Sequence, residues 1–221
     1  MGIKRALLTG CGSKYGLILL KQILFKFDEV DLITSTPTEN ILSNIPVDLQ
    51  NKLQCHNISW HKDMSYFKEY KIPEKKYELV FFNHNNKPFG FEIESYYKDV
   101  LWTQDIINRL ELHDDIKIGW MITAGIISPP DWFEYSPYFH QKHSRLYLMY
   151  FMQHLHPGSY FSIDPGEPSQ WTDSENLQQA NYMANFMADT IKPGTIYKAI
   201  KHAGEVQPPE FNWKLDWQKV S

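Results

Sequence analysis

The chain has 221 residues and a formal net charge of −4, with 43% hydrophobic residues. This length is enough for one α/β domain with a sizeable core, and the acidic balance gives no reason to expect nucleic acid or an anionic membrane as a partner. Two cysteines provide no disulfide framework, no apolar run reaches membrane-spanning length, and a strand begins too early to leave room for a signal peptide. We therefore expect a cytoplasmic protein.

Strands and helices alternate along the predicted chain. Short apolar runs indicate buried strands, and longer stretches with an apolar stripe indicate helices. The predicted strands are 4–10, 29–36, 52–59, 77–85, 116–125, 159–166 and 194–200, with residues 37–40 ending the second. The predicted helices are 17–27, 92–111, 138–155 and 174–191. No linker divides the chain, so we expect one doubly wound, Rossmann-like α/β domain over residues 1–221 with a parallel sheet.

A glycine-containing turn joins the first strand to the first helix. Gly10, Gly12 and Gly16 lie in the stretch TGCGSKYG. Glycines let a backbone approach a pyrophosphate closely, and the helix N-terminus attracts an anion. Thr9 could brace this turn, and Lys14 could either reach a phosphate or remain solvated. The turn predicts a dinucleotide site, although tight turns between strand and helix also occur without a ligand.

The end of the second strand bears on the choice of nicotinamide cofactor. An acidic residue there would bind the ribose hydroxyls of NAD, but Asp31 comes too early in the strand. Ser35 and Thr36 could instead accept a 2′-phosphate, with Lys14 nearby. We expect NADP(H) to be favoured over NAD(H), although no arginine stands at this position.

Tyr138 and Lys142 are four residues apart on a predicted helix, so they share one face. Tyr197 and Lys201 have the same spacing, but they lie in and after a predicted strand, where residues four apart are separated by roughly 13 Å. Only the first pair could act together on one small substrate. Alternatively, Tyr138 could be a partly buried helix tyrosine whose hydroxyl reaches water, and Lys142 could lie on a solvated face.

These features, in this order, resemble the short-chain dehydrogenase/reductase family over nearly the whole chain. TGCGSKYG is similar to the family's Thr-Gly-x-x-x-Gly-x-Gly turn, with Lys14 in place of the middle glycine. HNIS (56–59) resembles the Asp-Val stretch that touches adenine, and FFNHN (81–85) the Asn-Asn-Ala-Gly stretch. DPG (164–166) resembles the turn that closes over the nicotinamide, and Thr172 lies slightly beyond the place of the family threonine.

The resemblance implies a catalytic set. Tyr138 would be the general acid in reduction, and Lys142 would lower its pKa and hold the cofactor ribose. Thr123, with Ser128 as the alternative, would take the place of the family serine and bind the substrate oxygen. Asp99 would take the place of the family's helix asparagine, as an exposed carboxylate or as a residue that holds water.

The resemblance also implies a set of cofactor contacts along the carboxyl ends of the strands. His84 either faces the nicotinamide or packs in the interior. The contacts are Thr9, Gly10, Gly12, Ser13, Lys14, Tyr15, Gly16, Ser35, Thr36, Asn57, Ile58, Asn83, His84, Asn85, Lys142, Pro165 and Gly166.

Other chemistries have weaker support. The histidines lie without a cysteine or carboxylate cluster at metal-ligand spacing, so we expect no metal. Ser128 and Ser136 lack the pattern of a nucleophile elbow, which argues against a hydrolase.

The segments after strands four to six should line the substrate pocket. Their apolar residues favour a compact, apolar or aromatic carbonyl or alcohol, although they could equally cover the core or form a subunit contact. They are Phe89, Phe91, Ile126, Ile127, Trp132, Phe133, Tyr135 and Trp171. The resemblance implies a homodimer or homotetramer paired through the two long helices, and the apolar surface of 144–155 fits such an interface.

The sequence thus favours an NADPH-dependent reductase of a ketone or aldehyde, or the reverse alcohol dehydrogenase. The alternative is a non-catalytic nucleotide-binding protein of the same fold with a regulatory or assembly role, which the departures at Lys14, Asp99 and the family serine favour. A third possibility is an epimerase or dehydratase of an activated sugar. The lack of a C-terminal substrate domain argues against it.

Overall fold

The structure is a computed structural model that describes residues 2–58, 70–84, 93–121, 137–156, 158–163, 172–191 and 196–199. Parallel strands connected mainly by helices make up these ranges. The strands are β1 (Arg5–Thr9), β2 (Glu29–Thr34), β3 (Leu53–Asn57), β4 (Leu79–Phe82), β5 (Lys117–Met121), β6 (Ser159–Ile163) and β7 (Ile196–Ala199). The helices are α1 (Lys14–Leu24), α2 (Thr38–Leu42), α3 (Val47–Gln50), α4 (Ile93–Arg109), α5 (Pro137–Leu155) and α6 (Asp173–Asn185), and a π-helical turn (Phe186–Thr190) follows α6.

The strands of the described part form one sheet in the order β3-β2-β1-β4-β5-β6-β7, and every neighbouring pair is parallel. The chain starts in the middle of the sheet, runs outward to β3, and then crosses back to β4 beside β1. The order therefore reverses between β1 and β4, which makes that junction the topological switch point of a doubly wound sheet. The predicted fold class is confirmed.

Two apolar clusters cover the two faces of the sheet. One joins α1 and α6 to β1, β2 and β6, with Leu8, Leu20 and Met183 among its buried members. The other joins α4 and α5 to the opposite face, with Trp102 and Trp120 among its buried members. All four residues of β4 are buried, as a central parallel strand covered on both sides requires.

The sequence prediction missed some local elements. The sequence predicts only that residues 37–40 end the second strand; in the structure the chain also continues from Pro37 into α2 and from Pro46 into α3. Proline suits a helix start because its missing N–H has no partner there in any case. The last predicted helix is α-helical only to Asn185, after which the hydrogen bonding widens into the π-helical turn.

Candidate functional site

The glycine turn lies against the end of β4. Gly10 has φ +85°, and a Cβ built on it would lie 2.6 Å from His84 Cα and 2.7 Å from His84 N. Since both neighbours are backbone atoms, only glycine fits there. A Cβ on Gly16 would lie 2.7 Å from Cys11 Cα, and Cys11 itself has φ +65°. The turn is therefore compact, and two of its predicted cofactor-binding glycines are required by close backbone packing.

Helix α1 begins directly in this turn. The Ser13 hydroxyl oxygen accepts a hydrogen bond from Gly16 N at 3.0 Å and caps the helix. The first-turn amides of α1 therefore point toward the carboxyl edge of the sheet, where the helix dipole favours an anion. Tyr15 is directed elsewhere, because its hydroxyl lies 2.9 Å from Met183 Sδ and its pKa is raised by burial. Only the backbone of Tyr15 could therefore contact a cofactor at this turn.

Lys14 is mostly exposed, and its Nζ lies 2.6 Å from Asp173 Oδ1 at the start of α6. An anion at the turn would compete with Asp173 for Lys14. Helix α6 itself begins with a capping box, in which Thr172 Oγ1 accepts from Glu175 N and the Glu175 carboxylate accepts from Thr172 N. Thr172, which was compared with a loop threonine of the family, is thus the N-cap of a helix.

The ends of β2 and β3 form a neutral polar corner. The Asn57 side chain donates to the Thr36 carbonyl and accepts from the Thr38 hydroxyl. The Thr36 hydroxyl fills the space beside Gly12, where a Cβ would overlap it. Ile58 is buried below this corner, and its N–H donates to Thr34 O at 2.9 Å. Thr36 therefore lies next to the glycine turn.

Asp31 lies inside β2 and takes no part in that corner. It is 1% exposed, and its carboxylate accepts from Tyr77 and Lys75, each at 3.0 Å, while His56 Nε2 lies 2.8 Å away. Burial alone would raise the pKa of Asp31, but His56 and Lys75 together hold it below its ordinary value. No acidic side chain stands at the tip of β2 within the described residues.

His84 connects the end of β4 to the glycine turn and to α4. Its Nδ1 lies 2.6 Å from Thr9 Oγ1, and its Nε2 lies 2.6 Å from Asp99 Oδ1. Burial lowers the pKa of His84 to about 4, although the Asp99 carboxylate opposes that shift. His84 is therefore neutral at neutral pH. The neighbouring Asn83 donates through Nδ2 to Cys11 Sγ at 3.3 Å, a second link between β4 and the turn.

Asp99 is 1% exposed, so the expectation of an exposed carboxylate is wrong. Arg145 donates to both of its oxygens over 2.9–3.1 Å, and His84 Nε2 approaches one of them. Burial alone would raise the pKa of Asp99, but Arg145 and His84 hold it far below its ordinary value. Both oxygens of Asp99 thus have partners, and the carboxylate is placed to balance the charge of Arg145.

Lys142 is 1% exposed, and its Nζ donates to Met121 O at 3.2 Å, at the end of β5. Arg145 Nη1 donates to the same carbonyl at 3.1 Å, and Arg145 Nη2 donates to His84 O at 2.8 Å. Tyr138 lies on the same helix one turn before Lys142, and its side chain is outside the described part. The predicted alternative of a solvated Lys142 is wrong.

Some of the predicted site residues thus lie close together in the structure. Thr9, His84, Asp99, Arg145 and Lys142 form one continuous buried set of polar contacts across the ends of β1, β4 and β5, at the switch point. Arg145 was missed in the sequence; its only signal is a cation three residues after Lys142 in an apolar helix. The predicted residues that lie outside the described residues are Asn85, Thr123, Ser128, Pro165, Gly166 and the whole predicted pocket wall.

Tyr197 lies in β7, as predicted for the second Tyr-x-x-x-Lys pair, and Lys201 is outside the described ranges. Where side chains are described, no group of three or more histidine, cysteine, aspartate or glutamate residues could hold a metal ion. None of the described helices combines the length and apolar character needed to cross a membrane.

Neither a protein-family model nor a curated protein matches the chain in sequence. Solved structures do match it. A candidate 3-oxoacyl reductase from Bacillus thuringiensis aligns with a TM-score of 0.65 at 16% identity, over 93% of this chain and 99% of that one. A short-chain dehydrogenase/reductase from Serratia marcescens aligns with a TM-score of 0.62 at 9% identity, over 88% and 95% of the two chains. A carbonyl reductase from Pseudomonas aeruginosa, solved with NADP, gives 0.64 at 11% identity, over 89% and 96%. The predicted resemblance is thus confirmed at the level of the fold.

Proposed function

We propose that this chain, which has the fold of the short-chain dehydrogenases/reductases, is an NADP(H)-dependent oxidoreductase that reduces a ketone or aldehyde or oxidises the corresponding alcohol. One observation carries the proposal. A buried lysine, Lys142, lies at the end of β5 one helical turn after Tyr138, on the helix beside the switch point of the sheet. Ligands of open α/β sheets bind at that point.

The glycine turn is suited to a dinucleotide. Its backbone is packed too closely to admit side chains at Gly10 and Gly16, and α1 begins within it. A pyrophosphate would be held by the turn and by the first amides of α1. When bound, the nicotinamide cofactor would supply or accept the hydride.

The neutral corner at the ends of β2 and β3 supports NADP(H) over NAD(H). NAD binding typically uses a carboxylate at the tip of the second strand, whereas Asp31 is held inside β2 by three partners. Ser35 and Thr36 would donate hydroxyl groups to a 2′-phosphate. Lys14 would add a positive charge after exchanging Asp173 for the phosphate.

Side chains of α5 would carry out the proton transfer. Tyr138 would donate its phenolic proton to the carbonyl oxygen during reduction and recover it during oxidation. The pKa of a free phenol is about 10, too high for it to act as a base at neutral pH, and a nearby ammonium lowers that pKa. The hydrogen bond from Lys142 to Met121 O fixes the ammonium one turn from Tyr138. Thr123 would bind the substrate oxygen, and Pro165 and Gly166 would cover the nicotinamide.

The first test is a titration of the purified protein with NADPH and NADH, followed by tryptophan fluorescence. Turnover with a panel of small apolar and aromatic carbonyl compounds is then compared in Tyr138→Phe and Tyr197→Phe. Tyr197 is the matched control, because it has the same spacing to a lysine but lies on β7. We expect tight NADPH binding, a kcat loss of about 10²-fold or more in Tyr138→Phe, and unchanged kcat in Tyr197→Phe.

Each contrary outcome has a distinct meaning. Turnover that survives in Tyr138→Phe would remove Tyr138 from the mechanism and refute the proposed chemistry. Tight binding without turnover on any carbonyl compound would favour the non-catalytic nucleotide-binding alternative. If neither nucleotide binds, the interpretation of the glycine turn is wrong.

The outer face of α5 supports assembly as a homodimer. Tyr147, Phe151 and Leu155 repeat every four residues along it and are 56–64% exposed, and Leu101 of α4 is 47% exposed. An apolar stripe of this kind on a solvent-facing helix suits contact with a second copy. Phe151→Glu should convert a dimer into a monomer in sedimentation velocity, whereas a wild-type protein that sediments as a monomer would refute this assembly.

A further inference from the structure

Within the described residues, two ion pairs join the α1 segment to α6 and the π-helical turn that follows it, one at each end. At the carboxyl edge of the sheet, Lys14 Nζ lies 2.6 Å from Asp173 Oδ1. At the opposite end, Lys26 Nζ lies 3.4 Å from Asp189 Oδ2. The first of these pairs lies at the glycine turn, where the proposed cofactor would place its phosphates.

Both partners of the pair at the glycine turn are the first residues of capped helices. Lys14 begins α1, whose N-cap is Ser13, and Asp173 begins α6, whose N-cap is Thr172. The caps fix the backbone at both positions, so the carboxylate is held within reach of the ammonium. The two side chains are 74% and 75% exposed. An ion pair with this exposure is weak, so Lys14 can exchange its partner for another anion.

The field at the start of α1 makes such an exchange favourable for an anion. The dipole of a helix stabilises a carboxylate or a phosphate at its N-terminus, but it does not stabilise an ammonium. Lys14 therefore gains from an anion nearby, and Asp173 is the anion that the structure places beside it. In the proposed function the 2′-phosphate of NADP(H) arrives at the same ammonium. The carboxylate and the phosphate compete for Lys14, and as like charges they repel each other.

We propose that Asp173 is a specificity-determining residue that competes with the 2′-phosphate for Lys14. This inference rests on the proposed function, in which Lys14 binds the phosphate and Asp173 has no role of its own. Competition lowers the affinity for NADP(H) and leaves the affinity for NAD(H), which has no 2′-phosphate, unchanged. Asp173 also offers Lys14 a partner when the cofactor leaves, so it speeds the release of NADP(H).

The test compares the Kd values of NADPH and NADH for the wild type and Asp173→Asn, by tryptophan fluorescence of the full chain. The NADPH Kd should fall about 2–5-fold, which is the range that an exposed ion pair supports, and the NADH Kd should not change. Dissociation of NADPH in stopped flow should slow by a similar factor. High salt should reduce the difference between the two proteins, because the competing charges are exposed.

Three variants separate the competition from a general effect of charge. Asp189→Asn is the matched control, because it removes the same charge from an ion pair at the far end of α1, and it should change neither Kd. Asp173→Glu keeps the charge and should keep the wild-type NADPH Kd. Lys14→Gln removes the ammonium for which the anions compete. In that background, Asp173→Asn should therefore improve NADPH binding much less than it does in the wild type.

The outcomes distinguish this inference from the proposed function. A gain for NADPH alone, absent in Asp189→Asn and reduced in the Lys14→Gln background, would establish the competition. An unchanged NADPH Kd in Asp173→Asn would overturn it. An equal gain for NADPH and NADH would also overturn it, because Asp173 would then act on a phosphate that both cofactors share. Both of these results leave the proposed function standing. A wild-type protein that binds neither nucleotide would remove the proposed function and this inference together.

Discussion

Burial of His84 should make the folded protein less stable in mild acid. His84 is 3% exposed, and burial lowers its pKa to about 4 from an ordinary value of 6.5. Between these two values the unfolded chain binds a proton that the folded chain does not, so unfolding is favoured as the pH falls. The stabilisation is complete above the unfolded value of 6.5 and is lost toward 4. Between about pH 7 and about pH 5 the loss should be roughly 2 kcal/mol, since one unit corresponds to about 1.4 kcal/mol.

Urea unfolding followed by tryptophan fluorescence measures this loss. The free energy of unfolding is extrapolated to water at a series of pH values, for the wild type and for His84→Asn. Asparagine does not titrate, so the variant should lack the loss that His84 causes, while the other histidines contribute equally to both curves. Asp99 and Asp31 have lowered pKa values, so their stabilisation is lost only below the ordinary aspartate value of 3.8, outside this window. Parallel curves for the two proteins between about pH 5 and about pH 7 would refute the reasoning.

Three other substitutions test the local geometry. Gly10→Ala should abolish NADPH binding and lower the free energy of unfolding by roughly 1–3 kcal/mol, because its φ is positive. Gly2→Ala is the control: a Cβ there has nothing within 4 Å, so this variant should behave as the wild type in the same titration and urea experiments. Asp31→Asn should lower the free energy of unfolding by about 2 kcal/mol, because a charged acceptor of buried hydrogen bonds is lost; an unchanged value would mean that these bonds add nothing. Thr172→Ala should cost about 1 kcal/mol through loss of the helix cap, and recovery in Thr172→Ser would show that the hydroxyl is responsible.

The sheet could be predicted from the sequence because its signals are local. Each strand is a run of four to six residues, almost all buried in β1, β2, β4 and β5, so the run alone indicates a central parallel strand. The glycine turn is equally local, since its spacing and its position before α1 are visible in eight residues. The short helices α2 and α3 were missed because four or five residues are too few to show a helical period.

The partners inside the site could not be predicted, because they come from distant parts of the chain. Asp99 and Arg145 are separated by 46 residues, and Thr9 and His84 by 75. Aspartate and lysine are most often exposed in proteins, so the sequence alone is compatible with an exposed position for both Asp99 and Lys142. Only the packing of α4 against α5 decides that both are buried. The order of the motifs along the chain indicated at which edge of the sheet the site lies. It did not indicate which side chains contact each other there.

The cost of burying charge supports a functional reason for the Asp99–Arg145 pair. A buried ion pair often adds no net stability over apolar residues of similar volume, because both ions lose their hydration. The chain contains a second cluster around Asp31, but there the His56 and Lys75 side chains are 13% and 28% exposed, so their charges keep part of their contact with water. Around Asp99 the partners are at most 3% exposed. The ion pair with the higher desolvation cost therefore lies at the switch point, beside Lys142. The proposed chemistry needs the ammonium of Lys142 fixed in place there. If the pair served stability alone, Asp99→Leu combined with Arg145→Met should retain both the fold and the wild-type kcat.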